Sequence, residues 1–251
     1  MISMFIKVIN PNTTWSMTAT IEACARAVTA PGTRLEAVSP RMGPASIESH
    51  YDEALAVPGV LAEILRGERD GADGFVIACF GDPGLDAARE IATGPVVGIA
   101  EAAMHTASFL GRGFSVVTTL GRTTGRARDL AERYGLRDAC RGVHACEIPV
   151  LALETDPDAR KIVTEACFDA LGSDGSDAVV LGCAGMADLC AQISADIGAP
   201  VIDGVAAATL TVQSLVTLGL TTGKRGEFAA PPVKPYSGLL APFGRAEGTR
   251  G

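Results

Sequence analysis

An α/β protein built on parallel sheets is what this 251-residue sequence predicts, and three observations carry that prediction. Apolar runs of strand length alternate with segments of helix length, the pattern of strands joined by covering helices. Each half carries an Asp, a buried strand and a cysteine six places after the Asp: Asp73 to Cys79 in "DGFVIAC", Asp177 to Cys183 in "DAVVLGC". The composition, 47% hydrophobic and 20% charged with 5% aromatic residues, suits small-residue helices packed on sheets better than a β-sandwich or a disordered chain.

The elements follow in order. "FIKVIN" reads as the first strand, followed by a helix from about Trp15 to Val28 and the strand "RLEAVS". A helix around Glu53 to Glu68 leads into "GFVIAC". The next helix is expected to begin near Pro83, because proline's fixed φ and missing N–H suit a first helical position. "PVVGIA" and a helix through Met104 complete the first half. The second half has "FSVVTT", a helix near Arg126 to Tyr134, a weak strand around Cys146 and a helix from Asp158 to Leu171. "AVVLGC", a helix through Ile197, "PVIDG" and a helix through Leu218 follow, and the Pro- and Gly-containing tail beyond Lys224 reads as a wrapping arm or a frayed end.

Overlaying the halves aligns Asp73 with Asp177 and Cys79 with Cys183. "GPVVGIAEAA" from Gly94 then meets "APVIDGVAAA" from Ala199 with one residue of slippage, and "FIKVIN" meets "FSVVTT". The repeat predicts two similar three-layer αβα domains with mainly parallel sheets, related by a pseudo-twofold axis, with the active site in the cleft between them. Residues 1–100 with a returning segment of about 204–251 would form the first domain, and 101–203 the second.

Composition also excludes. A formal charge of −8 argues against nucleic acid or an anionic membrane as partner, since both need clustered Lys and Arg. No apolar run approaches the roughly 18 residues of a membrane span, and "MISMFIKVINPN" lacks the pattern of a secretory signal. Seven cysteines without framework spacing predict free thiols in the cytoplasm. No G-x-G-x-x-G follows the first strand and no Walker A loop exists, so nucleotide binding has no support. "CRGVHAC" sets His144 between Cys140 and Cys146 but lacks the second ligand pair of a zinc site. His50 and His105 could act as bases, although His105 falls on a helix and reads as structural. None of the four lysines sits at a strand end near a phosphate loop, which disfavours pyridoxal chemistry.

Cys79 and Cys183 are the candidate catalytic residues. Ligands of open parallel sheets collect at the carboxyl ends of strands, and both thiols fall there, each just before an expected helix whose N-terminal dipole would favour a thiolate. Asp82 would oppose this for Cys79 unless its side chain caps that helix. Two opposed thiols can invert a carbon next to a carbonyl: one removes a proton as thiolate while the other delivers one to the opposite face. The backbone N–H groups of Phe80, Gly81, Ala184 and Gly185 could hold the developing enolate oxygen. Cys24, Cys167 and Cys190, on helices, read as small buried hydrophobes.

With the repeat and both thiols in place, the chain resembles the aspartate/glutamate racemase superfamily, and within it the hydantoin and allantoin racemase group. The segments that carry the resemblance are "VINPNTTWSMT" from Val8, "RMGPASIESHYDEA" from Arg41, "IACFGDPGLDAARE" from Ile77, "GPVVGIAEAA" from Gly94 and "LGCAGM" from Leu181. The resemblance implies a cofactor-independent racemase acting on a small molecule, 5-monosubstituted hydantoins or allantoin, and a homo-oligomer. It also implies that Asn12, Thr13, Ser46, Ile47, Thr118 and Thr119 hold the ring, with Phe80, Gly81, Ala184 and Gly185 on its carbonyls. The plain structural reading of Asn12–Thr13 is a helix cap, and of Thr118–Thr119 a strand end. Amino-acid racemases of the superfamily carry Asn-Thr or Thr-Glu after their cysteines; Phe80-Gly81 and Ala184-Gly185 depart from that and favour a neutral ring. Maleate isomerases, which also keep two cysteines, and a non-catalytic binder of cyclic amides are the alternatives.

Overall fold

The computed structural model describes residues 4–244; residues 1–3, and residues 245–251 of the expected first domain, lie outside the described residues. Two four-stranded, all-parallel sheets organise the chain. The first comprises β1 (Phe5–Ile9), β2 (Arg34–Val38), β3 (Gly74–Ile77) and β4 (Val96–Gly98), in the order β2-β1-β3-β4. The second comprises β5 (Phe114–Thr118), β6 (Cys140–Ala145), β7 (Ala178–Leu181) and β8 (Val201–Ile202), in the order β6-β5-β7-β8. The strand order is therefore the same in both halves, as the sequence repeat requires.

Strands buried on both faces need helices on both faces, and four apolar clusters supply them. On one side of the first sheet, Ile6, Val8 and Val76 pack with Ile21 of α1 (Trp15–Val28) and Val205 and Val212 of α8 (Gly204–Thr217). On its other side, Ile9, Phe75 and Ile77 meet Val60 and Ile64 of α2 (His50–Arg69) and Leu85 and Ala88 of α3 (Leu85–Ile91). In the second sheet, Phe114, Val116 and Val180 face Met104 of α4 (Ile99–Ser108) and Leu130 of α5 (Thr124–Arg133). Val117, Val179 and Leu181 face Cys167 of α6 (Ala159–Asp174) and Ile193 of α7 (Cys190–Ile197). Each half is thus a three-layer αβα sandwich, and α8 returns from the second half to cover the first sheet. Among the described residues, no helix is long and apolar enough to cross a membrane.

The aligned acids have a shared structural task. Asp73 Oδ2 accepts from the Phe5 amide at 2.7 Å, while Asp177 Oδ2 accepts from Arg112 and Gly113 at 2.7 and 3.1 Å. Each therefore satisfies amides where the neighbouring central strand begins. The helix expected near Pro83 begins at Leu85, after Gly84 in the left-handed region at φ 71. The helix expected to run through Ile197 divides into a 3-10 segment, Ala184–Leu189, and α7. The tail lies as an arm: Lys224 Nζ donates to Arg89 O and Glu90 O at 2.5 and 2.9 Å, and Thr222 Oγ1 donates to Gly94 O. Tyr236, Leu240 and Phe243 of the arm face Leu61, Leu65 and Ile91 across a cavity of about 600 Å³.

Lys7 stands out in the buried middle of β1. Its Nζ lies 3.2 Å from Glu63 Oε2 of α2, with both side chains almost wholly sequestered, and Glu63 Oε1 also accepts from the half-exposed Arg66 at 2.7 Å. Breaking a buried pair by removing one partner costs about 3–5 kcal/mol, because the remaining charge stays desolvated. Glu63→Leu should therefore lower unfolding free energy by about that amount, and Lys7→Met by less, since Glu63 keeps Arg66. Combining the two should recover much of the loss. Urea denaturation of the three variants checks this, and a Lys7→Met variant weaker than Glu63→Leu would contradict it.

Candidate active site

The two cysteines are brought together by the ends of equivalent strands. Cys79 lies two residues past β3 and Cys183 two past β7, after ladders that extend one more step through Ala78 N–H to Ile9 O (2.7 Å) and Gly182 N–H to Val117 O (2.8 Å). Both thiols line one cavity of about 190 Å³ at the carboxyl ends of the central strands of both sheets. That volume falls below the range of about 300–1,000 Å³ for drug-sized ligands, so the site suits a small molecule. The cavity is shut off on one side by residues 47–53, whose carboxylates reach across to the second half. Glu48 Oε1 accepts from the Val150 amide at 2.7 Å, and Glu53 Oε1 accepts from Arg126 Nη2 at 2.6 Å.

The resting thiols are neutral. Burial is the largest influence on each and pushes both Cys79 and Cys183 up to about 12, against an opposing amide hydrogen bond from Gly81 and Gly185 respectively. The second thiol, Asp82 and Glu53 raise Cys79 further; Cys146 and Glu48 do so for Cys183. The expected thiolate-favouring dipoles do not dominate, because Leu85 begins α3 well beyond Cys79 and only a short 3-10 segment follows Cys183. Asp82 does not cap the helix that follows it: its carboxylate accepts from Ala100 and Glu101 at the start of α4, so its charge does oppose a Cys79 thiolate.

Most of the residues read from the sequence meet at the cavity: Asn12, Ile47, Phe80, Gly81, Thr118, Thr119 and Ala184 join the two cysteines in its lining. Asn12 is held by a buried network. Its Oδ1 accepts from Asn10 Nδ2 and from the Thr14 amide, both at 2.9 Å, while its Nδ2 faces only the weak acceptor Met17 Sδ at 3.2 Å. Thr118 Oγ1 bridges to Thr123 Oγ1 at 2.9 Å. Thr13, Ser46 and Gly185 stand behind the lining. Thr13 N–H and Oγ1 donate to Pro44 O, and Ser46 Oγ donates to Glu48, so both brace the 40–49 segment. Gly185 supports Cys183 through its amide; a Cβ there would come within 3.3 Å of Leu153.

The structure adds lining residues that sequence reasoning missed, chiefly Met17, Glu48, Ser49, Glu53, Arg122 and Arg126. Sequence reading raised His50 only as a possible base, and it too lines the cavity. His144 is engaged elsewhere, its Nε2 lying 2.8 Å from Asp174 Oδ2, and His105 stacks obliquely on Tyr134.

Residues 6–212 match the family described as Asp/Glu/Hydantoin racemase. The chain is 46% identical over 98% of its length to a hydantoin racemase of Pseudomonas sp. (strain NS671), covering 99% of that protein. An allantoin racemase structure from Klebsiella pneumoniae superposes with a TM-score of 0.93 at 55% identity, over 95% of this chain and 98% of that one. A maleate isomerase structure from Pseudomonas putida S16 shares the fold, at TM-score 0.66 and 22% identity, over 90% of this chain and 98% of that one.

Raised thiol pKa values have a direct consequence. Alkylation of Cys79 and Cys183 by iodoacetamide in the ligand-free protein should keep accelerating about tenfold per pH unit up to pH 10, because the thiolate fraction is still small there. A free thiol levels off above its pKa of about 8.5. Peptide mass spectrometry across pH 7–10 reads this out, and a rate at either cysteine that levels off by about pH 9, as for a free thiol, would refute the neutral-dithiol state.

Proposed function

Because the chain belongs to the Asp/Glu/Hydantoin racemase family, we propose that it inverts C5 of 5-monosubstituted hydantoins without a cofactor, using Cys79 and Cys183 as the acid/base pair. The observation that carries this reading is the equivalent placement of the two thiols, one from each sheet, at a single small cavity. One sulfur, as thiolate, takes the C5 proton; the electron pair moves into the C4 carbonyl to form an enolate conjugated with the ring nitrogens. The other, as thiol, protonates the opposite face, and the roles exchange for the reverse direction. The amides of Phe80 and Ala184, with those of Gly81 and Gly185, are the proposed donors to the carbonyl oxygens, while Asn12, Ile47, Thr118 and Thr119 orient the ring. Thr13 and Ser46 act through the segment they brace.

Substrate choice is proposed to lie among hydantoins, allantoin included. Ile47, Met17 and Val150 offer apolar surface to a C5 substituent, whereas Ser49, His50 and Arg122 offer partners to a ureido group. A dicarboxylate such as maleate is less well served, since Arg126 is already engaged by Glu53 and Gly81 O. We further propose that the working units are residues 1–100 with 204–251, and residues 101–203. The packing of α8 on α1 and the first sheet supports the former. The enzyme is proposed to act in the cytoplasm as a homo-oligomer.

Each enantiomer of 5-benzylhydantoin and of allantoin, incubated in D₂O, tests the reaction. Wild type should racemise and exchange the C5 hydrogen. Cys79→Ser and Cys183→Ser should each lose racemisation by roughly a hundredfold or more while retaining exchange on opposite enantiomers. Absence of exchange and racemisation with every hydantoin would leave cis-trans isomerisation or simple binding as the surviving readings, and an allantoin kcat/KM orders of magnitude above that of benzylhydantoin would assign the ureido substrate.

A further inference from the structure

The sequence repeat breaks at one buried position of the site. Three residues after Cys79 stands Asp82; three after Cys183 stands Met186, wholly buried in an apolar cluster. The two turns otherwise match, each closed by the amide of that residue donating to the cysteine carbonyl, at 2.9 Å for Asp82 and 3.1 Å for Met186. Asp82 is also buried, at 4% exposure, and occupies φ 45, a region costly for most side chains but accessible to Asp.

The groups that grip the Asp82 carboxylate come from the start of α4, just after β4, and from the end of α5. Oδ1 accepts from the Ala100 amide at 3.1 Å; Oδ2 accepts from the Glu101 amide at 3.0 Å and from the Tyr134 hydroxyl at 2.6 Å. Burial outweighs the pull of the three donors and leaves this carboxyl raised to about 6, below neutral pH. Gly98 makes room for it, since a Cβ there would fall 2.2 Å from Asp82 Cγ. The clamp continues along α5, where Arg126 Nη2 donates to Gly81 O at 2.8 Å. The turn after Cys183 is held by packing instead, Ala184 and Ala187 sharing a cluster with Met17 and Ile21.

We propose that Asp82 and Tyr134 are a positioning pair for Cys79 alone, setting the aim of one of the two proton-transferring sulfurs without acting on the other. The proposal rests on the two-thiol reading above. Acid–base geometry must hold within about half an ångström to be productive, and the backbone from Cys79 to Asp82 is short enough to pass a shift of the carboxylate to the sulfur. A charge-assisted hydroxyl–carboxylate bond in a buried site is among the stronger hydrogen bonds, so its loss is felt at the turn.

The test isolates each thiol. Deuterium exchange at C5 is measured for both enantiomers of 5-benzylhydantoin and of allantoin in Cys183→Ser, where only Cys79 works, and in Cys79→Ser, where only Cys183 works. Each is made with and without Tyr134→Phe, and again with Asp82→Asn, which presents an amide to one of the three donors. Both substitutions should slow Cys79-driven exchange by about tenfold, equivalent to about 1.4 kcal/mol in the barrier, and leave Cys183-driven exchange within about twofold. Equal slowing in both backgrounds, or none in either, overturns the pair as a Cys79-specific device. Parents that fail to partition exchange between enantiomers would sink the two-thiol reading itself, and the pair with it.

Discussion

Each catalytic candidate sits at the end of one sheet, while the residue that follows it is buried in a core of the other half. Phe80 follows Cys79 yet belongs to the cluster of Ala103, Met104, Ala127 and Leu130, and Ala184 follows Cys183 yet belongs to the cluster of Val8, Met17 and Ile21. Fully burying a side chain such as Phe contributes roughly 1.5–3 kcal/mol, which ties the turn after Cys79 to the second half; the turn after Cys183 is shared, with Ala184 packed in the first half and Met186 in the core of its own. The placement of the two sulfurs thus depends on these packed cores as well as on the turns that follow them.

The same burial determines the protonation of the site. Sulfurs at a small cavity beside Glu48, Glu53 and Asp82 are pushed toward the thiol form, and the proposed reaction requires one of them to give up its proton once substrate is bound. Such a site accepts a neutral ring at less cost than a dianion, because a second negative charge would meet carboxylates already on the rim. Higher thiol pKa also means a stronger base once formed, a trade in which population is exchanged for driving force.

What could be read from the sequence is what the repeat makes periodic. Cys79 and Cys183 are found because strand, acid and thiol recur together, and the acids prove to satisfy the starts of β1 and β5. The helices Trp15–Val28 and Gly204–Thr217 fall where apolar spacing puts them. Glu53 and Arg126 could not be found this way: each reads as an ordinary solvated charge on its own helix, and only the meeting of α2 with α5 makes them a pair. The partners of Asp82 are hidden from the sequence too, because the amides it serves lie eighteen and nineteen residues on, beyond a strand. Thr13 and Ser46 belong to loops whose side chains turn to neighbouring carbonyl and carboxylate groups, a detail that residue type does not encode.

The return of α8 has a bearing on how the chain comes off the ribosome. One face of the first sheet, carrying Ile6, Val8 and Val76, is covered jointly by α1 and by Val205, Ala208 and Val212 of α8. During synthesis the strands of that sheet emerge long before α8 does, so half of their apolar cover is missing while the entire second sheet is made. Domains usually fold as units in order of emergence; here the earliest-made unit is among the last to be finished. The nascent chain therefore exposes a sticky surface while the whole second sheet is made, and chaperone dependence should end only after Thr217 has cleared the exit tunnel.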